Sequence, residues 1–285
     1  MPARTPIARS VDPERRAMRA AIEIGVAYGV DASEPVLLHE TNNTVVWLRP
    51  SPVVAKVATR ADSKVDVRLE HAIGSELAAL GADVAHPFPG AEPVEHPSTG
   101  FVVTLWEWLE RVNGEVPGRS LSSSLAALHA ALANTHTKLP SFRAELMRAR
   151  VTLDDDTAMA AVPPRDRTFI RSVYDAGLAE LEGPDLDRQR LHGEPHEGNR
   201  VLTAQGVRWI DFESCCVGPL EWDLAFHSAE VSATFSEVDG GLLRRLIRLN
   251  RARVATWCWA TARIPEMRRQ GELHVQALRA ESGRP

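Results

Sequence analysis

Between residues 35 and 105 the chain changes from β-type runs to one helical stripe and back, which limits the folds open to it. Apolar or β-branched runs at residues 35–39, 44–48 and 52–57, separated by turn residues, predict three antiparallel strands. A helical stripe follows and ends at Gly81. Two further strand-like runs lie at residues 92–95 and 101–105, so the predicted order is β-β-β-α-β-β.

The rest of the chain is dominated by helical patterns. A loop rich in glycine and proline at residues 114–118 separates the two kinds of pattern. Apolar stripes at helical spacing then run through residues 121–132, 170–181 and 242–257. A further helix is predicted near the N-terminus, where Pro13 suits a first helical turn. The composition of elements is therefore that of an α+β protein.

One β-hairpin interrupts the helical half. Short apolar runs at residues 201–202 and 207–210 flank a turn at residues 205–206. Asn199 and Asp211 lie at the two outer ends of this hairpin. Because paired strands bring their ends together, we expect these two side chains to lie near each other.

Charge balance and cysteine content exclude several classes of protein. The 285 residues carry 33 Lys and Arg against 38 Asp and Glu, which argues against a protein built to neutralise nucleic-acid phosphates. No apolar run suits a membrane helix, and the N-terminus lacks the apolar block of a secretory signal. Cys215 and Cys216 are adjacent, so we expect buried thiols and no disulfide framework. We therefore expect a cytoplasmic protein without nucleic-acid or membrane partners. The sequence does not predict its oligomeric state.

Residues 191–199, Leu-His-Gly-Glu-Pro-His-Glu-Gly-Asn, are rich in chemically active side chains, and Ile-Asp-Phe-Glu follows at residues 210–213. Phosphoryl transfer needs a carboxylate that orients the attacking hydroxyl and accepts its proton. It also needs an amide oxygen and a second carboxylate that hold Mg²⁺. Glu194, Asn199 and Asp211 match these roles in that order, and Asn199 follows Glu194 by five positions, as in kinase catalytic loops.

Two other interpretations of residues 191–199 stay open. His192 and His196 are four positions apart, like the zinc pair of an H-E-x-x-H helix. That pair requires a helix, and Pro195 opposes one because proline inside a helix costs roughly 3 kcal/mol. The other interpretation is a polar loop in which His192 braces the backbone and takes no part in chemistry.

These motifs resemble those of the aminoglycoside phosphotransferase family, kinase-like enzymes that also include choline- and homoserine-kinase-like proteins. Residues 192–199 look like the family's H-G-D-x-H-x-x-N catalytic loop, and residues 210–213 look like its magnesium-binding strand end. Residues 218–225 are similar to its G-P-x-x-x-D-L-A stretch, in which Asp223 would be structural. Residues 125–130 resemble its L-x-x-L-H-x helix.

The resemblance spans roughly residues 36 to 225 and implies an α+β, two-lobed protein-kinase-like fold. The N-terminal lobe, residues 1–105, would contain a five-stranded antiparallel sheet plus one helix and would bind ATP or GTP. The C-terminal lobe, residues 106–285, would be mostly helical and would carry the catalytic loop and the acceptor site. The order β-β-β-α-β-β, which follows from periodicity alone, agrees with such an N-terminal lobe.

Lys56 lies in the third β-type run, where a buried ammonium is costly unless it is paired. The resemblance implies that nucleotide phosphates and the carboxylate of Glu70, on the following helix, pair it. Glu76 is a second candidate for that carboxylate. The alternatives are an edge-strand lysine that opposes aggregation and a solvated helix face for Glu70.

Other signals for the nucleotide are less specific. Residues 104–109 occupy the position of the family's interlobe hinge, where Trp106 or Trp108 would wall the nucleotide pocket. Either tryptophan taken singly is also explained as core. The turn at residues 40–44 stands where protein kinases have a glycine-rich loop, and the resemblance implies that Asn43 matches an asparagine common in this family. An ordinary hairpin turn explains that segment equally well.

Glu194 stands where the family has aspartate. Its extra methylene moves the carboxylate by roughly 1 Å, and a misplacement of that size can lower a rate by about 10²-fold. Either the loop compensates, for instance through Pro195, or catalysis is slow, or the protein is a nucleotide-binding pseudo-kinase with a regulatory or scaffolding role. Replacement of Glu194 by Asp separates these hypotheses, because a gain in turnover would show an enzyme limited by its glutamate.

The acceptor is the part of the reaction that the sequence constrains least. The family implies a small molecule with a hydroxyl, either an aminoglycoside or related antibiotic or a metabolic alcohol or sugar. A cationic antibiotic would favour acidic walls, for which residues 154–156, Glu213, Glu221 and Glu230 are candidates. The alternative is that these carboxylates are simply solvated. We therefore expect a MgATP-dependent phosphotransferase that acts on a hydroxyl.

Overall fold

The computed structural model describes residues 13–40, 43–60, 63–182, 185–186 and 188–282. Its elements confirm the predicted α+β class. The strands of the described residues are β1 Glu34–Glu40, β2 Thr44–Arg49, β3 Val53–Ala58, β4 Val94–Glu95, β5 Val102–Glu107, β6 Gln189–Leu191, β7 Arg200–Thr203, β8 Gly206–Trp209 and β9 Cys216–Gly218. The helices are α1 Pro13–Ala27, α2 Ser63–Ala79, α3 Gly118–Leu132, α4 Phe142–Asp154, α5 Pro164–Glu180, α6 Leu220–Leu224, α7 Ala229–Ser232, α8 Gly240–Ala260 and α9 Pro265–Ser282.

The first five strands form the antiparallel sheet that the sequence predicts, and within the described residues the order across it is β1-β2-β3-β5-β4. The register places Lys56 of β3 between Val45 of β2 and Thr104 of β5. Because side chains alternate across a strand, Lys56, Thr104 and Trp106 share one face of the sheet. β3 is a central strand, so the edge-strand interpretation of Lys56 is wrong.

Helix α1 covers the sheet face opposite Lys56. Its buried alanines, Ala17, Ala20 and Ala21, belong to the same apolar cluster as Val46 and Leu105 of the sheet. Small side chains let the helix backbone approach the strands closely. The contacts that bury this face of the sheet against α1 are thus apolar.

Helix α2 packs against the face that carries Lys56. A Cβ atom at Gly74 would lie 2.8 Å from Cζ3 of Trp106, so glycine is needed for this close approach. Glu70 lies one turn before Gly74 and therefore on the same side of the helix. This packing explains why a carboxylate of α2 reaches the buried strand lysine.

Helices α4, α5, α6, α8 and α9 of the second half share one apolar core. Its largest fully buried side chains include Phe142 of α4, Tyr174 of α5, Trp222 of α6 and Trp259 of α8. The predicted stripes along α3, α5 and α8 are the buried faces of those helices. None of the described helices combines the length and the apolar composition that a membrane crossing needs.

Two short strand pairs flank the polar motifs at residues 191–199 and 210–213. β7 and β8 form the predicted hairpin, with Arg200 opposite Trp209. β6 pairs with β9, which the sequence does not predict, and places Leu191 opposite Cys216. Cys215 and Cys216 are buried, as expected.

The described residues divide into two compact units. The first contains those within Met1–Glu115, Thr135–Thr137 and Asn199–Glu213. The second contains those within Val116–Asn134, Lys138–Gly198 and Ser214–Pro285. The β7–β8 hairpin therefore belongs to the same unit as the sheet, although it follows helices of the second unit in the chain. The division into lobes at residues 105 and 106 stays a prediction.

Candidate active site

The β7–β8 hairpin brings Asn199 and Asp211 to neighbouring backbone positions. The Asn199 carbonyl accepts a hydrogen bond from the Ile210 amide at 3.0 Å, and Asp211 is the next residue. Asn199 is buried. The two backbone positions are therefore adjacent, as the hairpin spacing predicts, and the expected approach of the two side chains stays a prediction.

Asp211 adopts an unusual backbone conformation. Its φ is 66°, and no other residue except glycine has a positive φ in the part of the chain that the structure describes. Aspartate tolerates this left-handed conformation better than most residue types, at a cost of order 1–3 kcal/mol. Such a conformation persists only where its surroundings hold it, and here the Asp211 carboxylate forms an ion pair.

Lys56 is the centre of a buried cluster of charges in the first unit. Its Nζ lies 2.7 Å from Glu70 Oε2, 2.9 Å from Asp211 Oδ1 and 2.7 Å from Glu213 Oε1. The ion pair expected between Lys56 and Glu70 is thus present. Because Glu70 is buried against the sheet, its interpretation as part of a solvated helix face is wrong. We call these four residues the Lys56 cluster.

Three carboxylates share one ammonium in the Lys56 cluster. Burial raises the pKa of Glu70 to about 8 and that of Glu213 to about 7, although the Lys56 ammonium opposes both shifts. Burial also disfavours the charge on Lys56, but the three carboxylates outweigh it and hold the lysine pKa well above its usual value. Lys56 therefore stays charged, while protons or a cation must balance the surplus carboxylates.

Asn43 adds a further oxygen beside the cluster. Its Nδ2 donates to Glu213 Oε1 at 2.5 Å, and its buried Oδ1 has no hydrogen-bond partner among the described residues. A buried polar atom without a partner is costly, which suggests that it serves a ligand. Residues 41 and 42 of the predicted turn at residues 40–44 lie outside the described residues.

The donor set of the Lys56 cluster fits a hard divalent cation. One carboxylate oxygen each from Glu70, Asp211 and Glu213 lies within 4.8 Å of the others. With all groups ionised, three negative charges and one positive charge leave an excess that a divalent cation would balance. Mg²⁺ prefers carboxylate and amide oxygens, and the Oδ1 of Asn43 is such an oxygen.

The two hinge tryptophans have different surroundings. Trp106 is buried beneath α2, and its Nε1 donates to the Thr104 hydroxyl at 3.0 Å. Trp108 is partly exposed and stacks on Trp47, with ring centroids 3.9 Å apart and planes inclined by 5°. Trp106 is thus a core residue, which leaves Trp108 as the tryptophan with an accessible ring.

In the second unit, Asp223 anchors the loop that contains Glu194. Its Oδ2 accepts hydrogen bonds from the His192 amide at 3.0 Å and from His129 Nε2 at 2.8 Å, and its Oδ1 accepts one from the Gly193 amide at 2.8 Å. Burial opposes the charge on Asp223, but these bonds and the two histidines hold its pKa below the usual value. Asp223 thereby holds the backbone immediately before Glu194.

Residues 192–196 form a loop and not a helix. The zinc-pair interpretation of His192 and His196, which requires a helix, is therefore wrong. Gly193 has a φ of 84°, and a Cβ there would lie 1.9 Å from the Ser214 carbonyl oxygen, so only glycine fits. His192 braces this turn, since its Nδ1 accepts a hydrogen bond from the Glu194 amide at 3.3 Å.

The Glu194 side chain contacts a buried arginine. Its Oε1 accepts a hydrogen bond from Arg253 at 2.8 Å, and its Oε2 accepts one from the Ser214 hydroxyl at 3.3 Å. Sequence reasoning did not identify Arg253. A signal exists, because Arg253 follows Leu246 and Leu249 at helical spacing on the buried stripe of α8. A cation on an apolar stripe requires a buried anionic partner.

Three glutamates do not take the roles predicted for them, Glu76 as partner of Lys56 and Glu213 and Glu221 as walls of the acceptor site. Glu76 accepts hydrogen bonds from the Thr137 amide and hydroxyl, at 3.0 and 2.6 Å, and does not contact Lys56. Glu221 is buried and accepts a hydrogen bond from the Asp239 amide at 2.7 Å. Glu213 belongs to the Lys56 cluster. The prediction that Glu213 and Glu221 line an acceptor site is therefore wrong.

The acidic run at residues 154–156 is paired with arginines. Asp154 is the last residue of α4, and its Oδ1 lies 2.6 Å from a terminal nitrogen of Arg171. Asp156 lies 2.6 Å from Arg167. Glu230 is exposed. Glu230 therefore stays a candidate acceptor wall.

The family described as the phosphotransferase enzyme family matches residues 34–264. No curated protein matches the sequence. The fold is similar to amicoumacin kinase hAmiN in complex with AMP-PNP, Ca²⁺ and Ami, at a TM-score of 0.68 and 13% identity over 94% of this chain and 96% of that one.

Two further solved structures have the same fold. Choline kinase LicA from Streptococcus pneumoniae is similar at a TM-score of 0.64 and 14% identity, over 92% of this chain and 99% of that one. The GDP complex of wild-type aminoglycoside 2'-phosphotransferase-IIIa is similar at a TM-score of 0.67 and 11% identity, over 91% of this chain and 97% of that one. The predicted kinase-like fold is thereby confirmed.

Proposed function

The chain belongs to the phosphotransferase enzyme family, and from this premise we propose that it transfers the γ-phosphate of ATP or GTP to a hydroxyl of a small molecule. The observation that carries the proposal is the Lys56 cluster, in which one buried ammonium contacts three carboxylates. A site of this kind suits the joint binding of phosphate and a divalent cation, because the ligands bring charges of both signs. Electrostatics and positioning supply most of the catalysis of phosphoryl transfer.

The first unit would bind the nucleotide. Lys56 would donate hydrogen bonds to phosphate oxygens, and Glu70 would keep its Nζ directed toward them. Mg²⁺, which when bound neutralises charge on the phosphates, would be held by Asn199 and by Asp211 of the Lys56 cluster, where its charge would also balance the carboxylates of Glu70 and Glu213. Asn43 would offer its buried Oδ1 to a ligand, and the partly exposed ring of Trp108 would contact the base.

Glu194 would orient the acceptor hydroxyl and accept its proton. Its side chain is 27% exposed, so a solute can reach the carboxylate. The loop before it is tied to Asp223 by two backbone amides. A carboxylate on such a fixed backbone suits a reaction in which alignment of the attacking oxygen dominates.

For the acceptor we propose an aminoglycoside or a related antibiotic, with a metabolic alcohol or sugar as the second class. The first is supported by the similarity of fold to amicoumacin kinase and to an aminoglycoside 2'-phosphotransferase. The second is supported by the similarity to choline kinase LicA. Experiment decides between the two classes.

The experiment is mass spectrometry of a panel of hydroxyl compounds, aminoglycosides and choline included, incubated with the protein and MgATP or MgGTP. We expect one class to gain the mass of a phosphoryl group. Asp211→Asn should abolish that product. Asp175→Asn is the matched control, because Asp175 is an exposed carboxylate paired with Arg150 and should leave the product unchanged.

Two results would contradict the proposal. If MgATP and MgGTP both fail to bind, the Lys56 cluster is not a nucleotide site. If MgATP binds but the protein transfers phosphate neither to any compound nor to water, the pseudo-kinase hypothesis is favoured instead.

A further inference from the structure

Arg253 of α8 is buried and has a partner for every part of its guanidinium group. Only 2% of its side chain is exposed. Its Nε donates to Asn250 Oδ1 at 3.0 Å, one terminal nitrogen donates to Glu145 Oε1 at 3.2 Å, and the other donates to Glu194 Oε1 at 2.8 Å. The rings of Trp222 and Phe226 lie 5.7 and 5.5 Å from its central carbon, within the range of cation–π contacts.

Most of these partners hold Arg253 independently of Glu194. Asn250 is on the same helix, Glu145 is on α4 and Trp222 is on α6, so the guanidinium group is held from three elements. Because the guanidinium is planar, fixing two of its nitrogens also fixes the direction of the third. The terminal nitrogen that faces Glu194 is therefore a fixed point.

The backbone at Glu194 is fixed as well. The amides of His192 and Gly193 are bound to the buried carboxylate of Asp223, and the Glu194 amide donates to His192. With both ends fixed, the length of the side chain decides whether the carboxylate reaches the arginine. Aspartate is shorter by one carbon–carbon bond, about 1.5 Å, and would leave a gap beyond the hydrogen-bond range of about 3.2 Å.

We propose that Arg253 is a positioning residue for Glu194. It binds Oε1, so that Oε2, which also accepts from the Ser214 hydroxyl, presents its remaining lone pair to the acceptor hydroxyl, and for this reason the loop requires glutamate where the family has aspartate. The inference rests on the proposed function. It reverses the expectation that Glu194 handicaps the enzyme: the glutamate matches the arginine.

The first test is Glu194→Asp, assayed with the acceptor found in the panel and with water as acceptor, by release of inorganic phosphate from MgATP. We expect kcat to fall about 10- to 100-fold with both acceptors, because the carboxylate loses its fixed partner. The KM for MgATP should stay within about twofold, since Glu194 is outside the Lys56 cluster. A kcat equal to or above that of the wild type would overturn the inference.

The second test is Arg253→Lys, which keeps the buried positive charge but not the planar fork. We expect kcat to fall about tenfold, with no further loss when it is combined with Glu194→Asp, because both changes remove the same contact. Arg150→Lys is the matched control. Arg150 is an arginine of α4 that pairs with Asp154 and Asp175 and lies outside the Arg253–Glu194 contact, so the same exchange there should leave kcat within about threefold.

The kcat values of the variants and of the wild type distinguish failure of the inference from failure of the proposed function. If Arg253→Lys and Glu194→Asp lower kcat by independent factors that multiply, Arg253 does not act through Glu194 and the inference is overturned. If Arg150→Lys lowers kcat as much as Arg253→Lys, the loss follows from weakening any arginine of this unit and not from the contact with Glu194, which also overturns it. If the wild type binds MgATP but transfers phosphate neither to the panel nor to water, the proposed function fails first and the inference with it.

Discussion

Lys56 of the first unit and Arg253 of the second are both buried cations among carboxylates, yet their surroundings differ in charge. Three carboxylates contact Lys56, and one of them, Asp211, is 40% exposed. Arg253 has two carboxylates, an amide oxygen and two aromatic rings. The Lys56 cluster therefore has a larger surplus of negative charge beside an accessible carboxylate.

This difference shows two uses of a buried charge. The ammonium of lysine is a compact point charge whose donors rotate freely, which suits a site where ligands enter and leave. The guanidinium of arginine is a rigid fork, which suits a fixed geometry. The first arrangement is suited to ligand binding and the second to alignment. The following predictions test that contrast in order of expected effect.

Asp211→Asn should lower phosphate transfer by about 10²- to 10³-fold without loss of stability. Asparagine also tolerates the left-handed backbone, and removal of one charge relieves the surplus in the Lys56 cluster. The measurements are product formation and the thermal midpoint. A fall in the thermal midpoint of more than a few degrees would show that Asp211 is a structural anchor and would break the contrast.

Asp223→Asn should have a large effect on folding. An amide nitrogen in place of one carboxylate oxygen would face a buried N–H donor, so we expect the free energy of unfolding to fall by roughly 3 kcal/mol. Urea unfolding measures the change. Asp239→Asn is the control: Asp239 caps α8, and asparagine caps a helix about as well, so the loss should be below about 0.5 kcal/mol.

The stabilisation by Mg²⁺ should depend on pH. Because the folded pKa values of Glu70 and Glu213, about 8 and about 7, exceed the ordinary carboxyl value of 4.5, the folded protein holds more protons between these limits. Without a cation, the free energy of unfolding should therefore decrease as the pH rises through this window.

Mg²⁺ competes with those protons, so its affinity should increase by about ten- to a hundredfold between about pH 6 and pH 8.5. Thermal unfolding with and without MgCl₂ measures the effect at each pH. Asp211→Asn should weaken it. Equal stabilisation at the two pH values would mean that Mg²⁺ does not bind at the Lys56 cluster.

Glu70→Gln and Glu76→Gln form the smallest and most closely matched comparison. Both glutamates lie on α2, but only Glu70 contacts Lys56, whereas Glu76 binds Thr137. Glu70→Gln should lower phosphate transfer by about tenfold, because Lys56 loses its buried partner, and Glu76→Gln should change it less than twofold. Steady-state kinetics of both variants decide the matter. Equal effects would show that the Lys56–Glu70 contact is dispensable.

Sequence periodicity predicted the sheet, because the pattern of each strand and helix depends on residues that are close together in the chain. It did not single out α4 and α9, and it missed the pairing of β6 with β9, whose three-residue strands are too short for a pattern. The hairpin predicted the nearness of Asn199 and Asp211, since its turn is local. Its turn could not show that Glu213, two residues later, contacts Lys56.

The sequence by itself determined the order of the elements, the family and the residues of the two loops, because these depend on neighbours along the chain. Only the tertiary structure decided which charges meet. Glu213 contacts Asn43 across 170 positions, and Arg253 contacts Glu194 across 59. Such contacts form when elements distant in the chain pack together. Because burial of an unpaired charge is unfavourable, the buried charges at such places occur in pairs.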